Sequence, residues 1–428
     1  MLFFSRPYSR NDIGVTASQR LASEFRQVMQ DMLVEFPWQV RLTDWTGRSY
    51  AIGRNEAHWR DLPLYIDVKT EAAGRDIINS KPLRFLERFL DGEVCMRGNL
   101  YLLSDIRRYG KVSLSLWQLL PQLVASKSVL FQSIARARSS VRTHYDIPQE
   151  ALSKYLDAVF MSYSCAIFEQ PNRLEVKELL EVGAGKTDSF DSLEKAQWRK
   201  YKDAVDYIAP REGETLLDIG CGYGGQLLVA LEEQPFAKVV GWTHSSNQAS
   251  KGRDRLSHHD RHRWEIHEGD YRQERRIFDH ITSTGMVSHV GPRGLVPYVK
   301  NTRKMIRAGG RYLHHALMNP HSERLFDLNV GVAFNKKYVW PGFHWFSLGE
   351  HVTALESNGF EIVKLINLSP HYAKTTAAWY ERMMASEHDM IAIMGRKAFL
   401  AWQIYLAGSS AGFQSGIMHV YRLYCRAI

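Results

Sequence analysis

Cysteine is scarce in this chain: four in 428 residues (Cys95, Cys165, Cys221, Cys425), with no C-x-x-C pair and no spacing typical of a metal site. That argues against a disulfide-stapled scaffold and offers no metal centre, and it fits free thiols in a reducing compartment. Long apolar runs are missing as well. The nearest, Val112 to Phe131, is interrupted by Gln118, Pro121, Gln122 and Lys127, so no membrane-spanning helix is expected. The opening Met1-Leu2-Phe3-Phe4-Ser5-Arg6-Pro7 lacks the apolar core of a signal peptide, which makes the expected location cytoplasmic. Internal repeats and low-complexity tails are absent too.

Acidity is also in short supply, with a net charge of +9. An excess of that size suits an anionic partner, either nucleic acid or an anionic lipid surface. The basic residues come in short groups (Arg107-Arg108, Arg136 to Arg142, Lys200 to Lys202, Arg261 to Arg263, Lys300 to Arg311), and most of these read as solvated helix faces.

With 45% hydrophobic residues the chain has enough apolar material for sizeable cores, and its length implies two domains. A helix is expected over 18–35. The runs Val40-Arg41-Leu42, Tyr50-Ala51-Ile52, Leu64 to Val68 and Glu93 to Tyr101, separated by Gly and Asn breaks, then predict a small α+β unit. A basic helical linker follows over 104–150, whose apolar-then-basic order over 113–142 suits either packing or a membrane surface. The predicted domains are 1–142 and 143–428. In the second, strand candidates at 215–218, 238–243, 263–268, 278–284, 311–317 and 360–366 alternate with helical segments, which predicts a doubly wound α/β sheet of Rossmann-like type.

The most informative stretch is Asp218-Ile219-Gly220-Cys221-Gly222-Tyr223-Gly224-Gly225, set between a β-like run and a helix-prone one. Glycines there let backbone approach a ligand whose polar groups face a helix N-terminus. The spacing is G-x-G-x-G led by Asp, which favours S-adenosylmethionine over a dinucleotide, and a carboxylate suits the ammonium of that cofactor. No acid follows the second strand at Gly241-Trp242-Thr243, so Thr243 or Gln248 is left to hold a ribose diol.

Several stretches read together resemble the cyclopropane-fatty-acid synthase family of S-adenosylmethionine-dependent methyltransferases. They are His144-Tyr145-Asp146, Tyr163-Ser164-Cys165-Ala166, the glycine turn, Gly241 to Gln248, Gly285-Met286-Val287-Ser288-His289-Val290-Gly291, His315, and Tyr372 followed by Trp379-Tyr380-Glu381-Arg382. Phe89 to Leu103 is similar to the N-terminal module of longer members. The resemblance implies methyl transfer to a cis double bond in a phospholipid acyl chain through a carbocation, with bound bicarbonate removing a proton so that a ring closes. It places Tyr163, Ser164, Gly220, Gly222, Gly224, Thr243, Gln248, Asp270 and Tyr271 at the cofactor, where the turn itself already puts Asp218, and Cys165, His315 and Tyr372 beside the alkene, with Ser288 at a further position of that site.

One position departs from the family pattern: Ser288 stands where members carry the Glu that helps to hold bicarbonate. A neutral hydroxyl cannot accept a charge-assisted bond as a carboxylate does, so ring closure is in doubt and a methylated or methylene-bearing chain becomes an expected product. Taken singly the other residues have plainer readings. Cys165 is equally a small buried side chain, Tyr372 a packed aromatic, Ser288 a loop serine, and Trp379 to Arg382 a structural helix. His314 and His315 sit on one strand and point to opposite faces, so only one of them faces a site; the resemblance selects His315. The implied partners are unsaturated phospholipid and an anionic membrane surface, with peripheral attachment, and a homodimer or a reductase as candidate protein partners. A nucleic-acid methyltransferase is the first rival, but the chain has neither an Asn/Asp-Pro-Pro-aromatic motif nor a Pro-Cys nucleophile. The other rivals are a catalytically silent lipid-binding homologue and a methyltransferase of small amines.

Overall fold

The computed structural model describes residues 16–109, 148–183, 191–234, 236, 238–320, 330–341 and 343–428. They fall into two compact units, within 1–118 and 119–428. The division expected at 142–143, the segment 113–142 and His144-Tyr145-Asp146 lie outside the described residues.

The first unit opens with a helix, Ala17–Leu33, started by a capping box in which Thr16 and Gln19 satisfy each other's backbone amides. Its buried residues Ala22, Phe25, Met29 and Leu33 recur at helical spacing and form one apolar stripe. The stripe faces a four-stranded sheet of order β2-β1-β3-β4, made of β1 (Val40–Thr43), β2 (Ser49–Ile52), β3 (Leu64–Val68) and β4 (Val94–Gly98). In β3, Leu64, Ile66 and Val68 are buried and alternate with half-buried Tyr65 and Asp67. Helices Glu71–Ile78 and Pro82–Leu90 lie between β3 and β4, where sequence patterning had indicated only strands and turns.

The second unit is built on a mainly parallel sheet of order β11-β12-β9-β8-β5-β6-β7. Its strands are β5 (Thr215–Ile219), β6 (Lys238–Thr243), β7 (Trp264–Glu268), β8 (His280–Thr284), β9 (Arg311–Asn319), β11 (Phe360–Asn367) and β12 (His419–Ala427), with the two-residue β10 (Phe346–Ser347) pairing β9. The core strands are apolar on both faces because helices cover both sides, as Leu216, Leu217 and Ile219 show. The strand expected from Phe278 begins at His280, since Phe278 makes only an isolated bridge to Ile306. Strand β12 carries no sequence expectation at all. It runs antiparallel between β9 and β11 and delivers Arg422 opposite His315.

Two long helices, Ser369–Ala385 and Arg396–Gln414, pack on each other. The first is tied to the rest by Arg382, whose guanidinium meets the buried Glu194 carboxylate at 2.7 Å and donates to the carbonyls of Glu181 and Leu179. Among the described residues no helix is long and apolar enough to cross a membrane.

Removing one member of a buried ion pair strands the other charge, which costs more than the pair itself contributes. Arg382→Met is therefore expected to destabilise the protein by about 3–5 kcal/mol, read as a lower urea midpoint, with much of the loss recovered when Glu194→Leu is added. A loss under about 1 kcal/mol in the single variant would show that the tie carries little.

Candidate functional site

At the carboxyl end of β5 the chain turns through three glycines in left-handed conformation, Gly220 (φ 84), Gly222 (φ 53) and Gly224 (φ 79), before the helix Gly225–Glu233. Side chains are disfavoured there on conformational grounds alone. Space adds to the argument at Gly222, where a Cβ would meet nothing within 4 Å because it would project into open cavity.

That cavity measures 360 Å³ and is bounded by the ends of β5, β6, β7 and β8 and by the segment Phe160–Ser164. Of the residues expected at the cofactor, Tyr163, Ser164, Asp218, Gly220, Gly222, Thr243, Gln248, Asp270 and Tyr271 line it. Gly224 does not. Its backbone lies within reach of Gly252 and Ile266, and it serves the turn. Cys221 and His244, which fall inside stretches quoted from the sequence but carry no expected role there, and Arg293, which no motif marked, line the cavity as well.

The polar groups of this cavity are fixed by neighbours. Asp218 accepts from Thr282 Oγ1 at 2.9 Å, and burial pushes its carboxyl up to about 7 despite that bond and the nearby Lys200. Thr243 donates to Gln248 Oε1 at 2.7 Å, which leaves the Gln248 amide nitrogen to act as donor. Burial opposes ionisation of Asp270, but bonds from the Arg272 side chain and backbone outweigh it and hold the carboxyl below its ordinary value.

A second, smaller cavity of 60 Å³ shares Tyr163, Ser164, Gly285 and His289 with the first. It is lined by all four residues expected beside the alkene, Cys165, Ser288, His315 and Tyr372, together with an aromatic wall that includes Trp340, Phe343, Trp345, Tyr405 and Phe413. Tyr163 stacks between Trp340 (5.6 Å) and Trp379 (4.9 Å, interplanar 7°), so Trp379 supports the wall from behind. Among the described residues lining this cavity there is no carboxylate.

Each candidate here has a definite chemical state. Cys165 is buried, its thiol is pushed up to about 12, and the sulfur donates to the Leu368 carbonyl, so it stays neutral. His315 faces the cavity, whereas His314 points to the opposite side of β9 and bonds Tyr312 and His351. Arg422 Nε donates to His315 Nδ1 at 3.3 Å; because a guanidinium can only donate, the imidazole proton sits on Nε2. Burial, then Arg422 and Lys200, hold His315 well below its usual range, so it is a neutral donor. Ser288 is 5% exposed and its hydroxyl has no hydrogen-bond partner among the described residues, while its carbonyl accepts from His344 N at 3.1 Å.

The basic group Lys200 to Lys202 departs from its expected solvated face. Lys200 has no exposure, because it lies on the side of the Leu193–Ile208 helix that faces the two cavities. Arg422 was likewise missed: a charged residue at an inward position breaks the alternation that would have marked β12 as a strand.

Comparison with known proteins agrees with this geometry. The family model for mycolic acid cyclopropane synthetase matches residues 132–423. A probable fatty acid methyltransferase of Pseudomonas putida is 29% identical over 66% of this chain and 68% of its own length. A tuberculostearic acid methyltransferase of Mycobacterium tuberculosis is 31% identical over 67% of this chain and 64% of its own. A mycolic acid cyclopropane synthase, solved with S-adenosylhomocysteine and CTAB, superposes with a TM-score of 0.60 at 26% identity, covering 68% of this chain and 98% of that one. With the family model spanning well over half of its length, the chain belongs to the mycolic acid cyclopropane synthetase family of methyltransferases.

Proposed function

We propose that this protein is an S-adenosylmethionine-dependent C-methyltransferase acting on the double bond of unsaturated phospholipid acyl chains, and that its product is methylated or methylene-bearing in preference to cyclopropane. The observation that carries the reading is the second cavity, which is aromatic, has no carboxylate among its described lining residues, and holds the orphaned Ser288 hydroxyl. Relatives named for fatty acid, tuberculostearic acid and sphingolipid methylation support an acyl-chain substrate.

The first cavity suits the cofactor in size and donor set: open space over Gly222, the Asp218 carboxyl for an ammonium, and Thr243 with Gln248 for a ribose. When bound, the cofactor supplies an electrophilic methyl group and leaves as a thioether. The chain's own residues do the rest. Tyr163, Ser164, Gly285 and His289 border both cavities and so define where an alkene carbon meets that methyl group. The rings of Trp340, Tyr405 and Phe413 in its lining exclude water and offer polarisable aromatic surface to a cation. Ser288 and His315 Nε2 offer hydrogen-bond donors to a small base or water that takes the released proton, but nothing there takes the place of a carboxylate for bicarbonate. An unsaturated methylated product would require a separate reductase to become saturated.

Net charge supports peripheral attachment to anionic membrane, since each well-placed basic residue contributes on the order of 1 kcal/mol and salt screens it. A silent lipid-binding homologue would keep the fold without turnover.

Three outcomes are expected. Gly222→Val should weaken cofactor binding by at least roughly a hundredfold, about 2.7 kcal/mol by calorimetry, and unchanged affinity would remove the glycine turn from the site. In a host making unsaturated lipids, mass spectrometry of derivatised fatty acids should show a methyl or methylene branch, and Ser288→Glu should raise the cyclopropane share and its bicarbonate dependence. A dominant cyclopropane product from the natural chain would overturn the product assignment, and no modified acyl chain at all would favour the silent homologue. Finally, flotation with vesicles rich in anionic lipid should show binding at low salt that fades toward about 0.5 M, where the screening length is only a few ångströms; absence of low-salt binding would refute membrane attachment.

A further inference from the structure

Behind the wall that separates the two cavities lies a buried ammonium with no assigned task. Lys200 has no exposed surface, and its Nζ donates to Ser162 Oγ and, at 2.8 Å, to Ser164 Oγ. Its neighbours on the same helix face, Gln197 and Tyr201, hold the same segment: Gln197 Nε2 donates to the Ser164 carbonyl at 3.0 Å, and the Tyr201 hydroxyl lies 2.8 Å from Ser162 Oγ. Spacing of three and four residues puts all three on one side of the helix. The segment needs the restraint, since Met161 adopts φ 54, a left-handed conformation that is strained for a non-glycine residue. Asp157 clamps its start by accepting from the amides of Phe160 and Ser162.

We propose that Lys200 is a positioning residue of the cofactor site: its ammonium occupies the oxygen lone pairs of Ser162 and Ser164, so that Ser164 turns its own proton into the cavity toward the carboxylate of the cofactor's methionine end. An ammonium can only donate, and a serine hydroxyl has one proton to give. Ser162 can spend its proton on Tyr201, and Ser164, whose oxygen lies 3.3 Å from Ser162 Oγ and which lines both cavities, then has the cavity as the other place for its own proton. A carboxylate placed there gains a donor that is itself polarised by a buried positive charge, which strengthens the bond well beyond that of a neutral hydroxyl.

The surroundings make this arrangement sensitive to protons. Burial pushes Lys200 down to about 7; Asp157, Cys165 and Asp218 act against that, and Arg422, arriving from β12, adds to it. The Tyr201 ring lies under the ammonium at 3.9 Å. An arriving carboxylate raises the proton affinity of Lys200, so binding takes up a proton wherever the free protein has lost it. The sign is opposite for Asp218, which gives up its proton to face the cofactor ammonium. Above pH 8 the carboxyl of Asp218 contributes little, and the ligand's own α-amino group takes up protons equally in the natural chain and its Lys200 variants, so the part due to Lys200 is the difference between them.

The inference rests on the cofactor and not on the lipid substrate, and S-adenosylhomocysteine is the probe, since it carries the methionine end without the sulfonium charge. Calorimetry of the full chain at pH 8 to 9, in buffers of different ionisation enthalpy, is expected to show uptake on the order of half a proton and an affinity that falls by up to tenfold per pH unit. Lys200→Met is expected to bind at least roughly tenfold more weakly, and Lys200→Arg to recover affinity while showing only the exchange of the ligand's own amine, because a guanidinium does not titrate there. Lys200→Arg gives the comparison even where Lys200→Met fails to fold. Uptake in the natural chain no larger than in Lys200→Arg together with unchanged affinity of Lys200→Met, or Lys200→Arg as weak as Lys200→Met, would overturn the role of Lys200 and leave the cofactor site standing; failure of the natural chain to bind S-adenosylhomocysteine would overturn both.

Discussion

A guanidinium shielded from solvent joins three parts of the second unit. Arg422 on β12 pairs with Asp203, donates to the Lys200 carbonyl at 3.1 Å and holds His315 Nδ1 at 3.3 Å. A charge buried this deeply persists only where its donors are satisfied together, so the strand, the helix and the imidazole have to be brought into place as a set. The tautomer of His315, the seating of the helix that carries Lys200, and the position of the strand that closes the second cavity all depend on that one group.

The same constraint explains the positive character of the site wall. Two cations, Arg422 and Lys200, lie behind it, and the groups that face the second cavity are neutral: a thiol, an imidazole carrying its proton on Nε2, hydroxyls and aromatic rings. Such a lining supplies hydrogen bonds to an oxygen-bearing species and ring faces to a cation without committing a fixed negative charge. Catalysis of alkene methylation asks for that division of labour, because a carbocation is quenched by water and trapped by a nucleophile.

Much of this was legible in the chain itself. Strands β5 and β6 announce themselves because parallel strands covered on both faces are largely apolar, β7 to β9 and β11 stand out through shorter or alternating apolar runs between helical segments, and the glycine turn marks the carboxyl end of β5. The separation of His314 from His315 follows from the two-residue period of a strand. What escaped notice has a common cause. Lys200 and Arg422 are charged residues in interior positions, so patterning assigns them to the surface, and their places become clear only when partners distant in sequence are in view. Of the two C-terminal helices only Trp379 to Arg382 reads as helix in the sequence, because both are buried on most sides and a helix without a polar face gives weak periodicity. The aromatic wall gathers residues from 163 to 413, a juxtaposition that no local motif encodes.

Ser288 joins the fold through its backbone, by the bond from His344 to its carbonyl, while its hydroxyl has no hydrogen-bond partner among the described residues. Exchanging it for another small neutral side chain breaks no such bond, whereas a charged one buried there has to find donors or cost stability. Change at such a position is limited by what the cavity can hold and not by the network that holds the protein together.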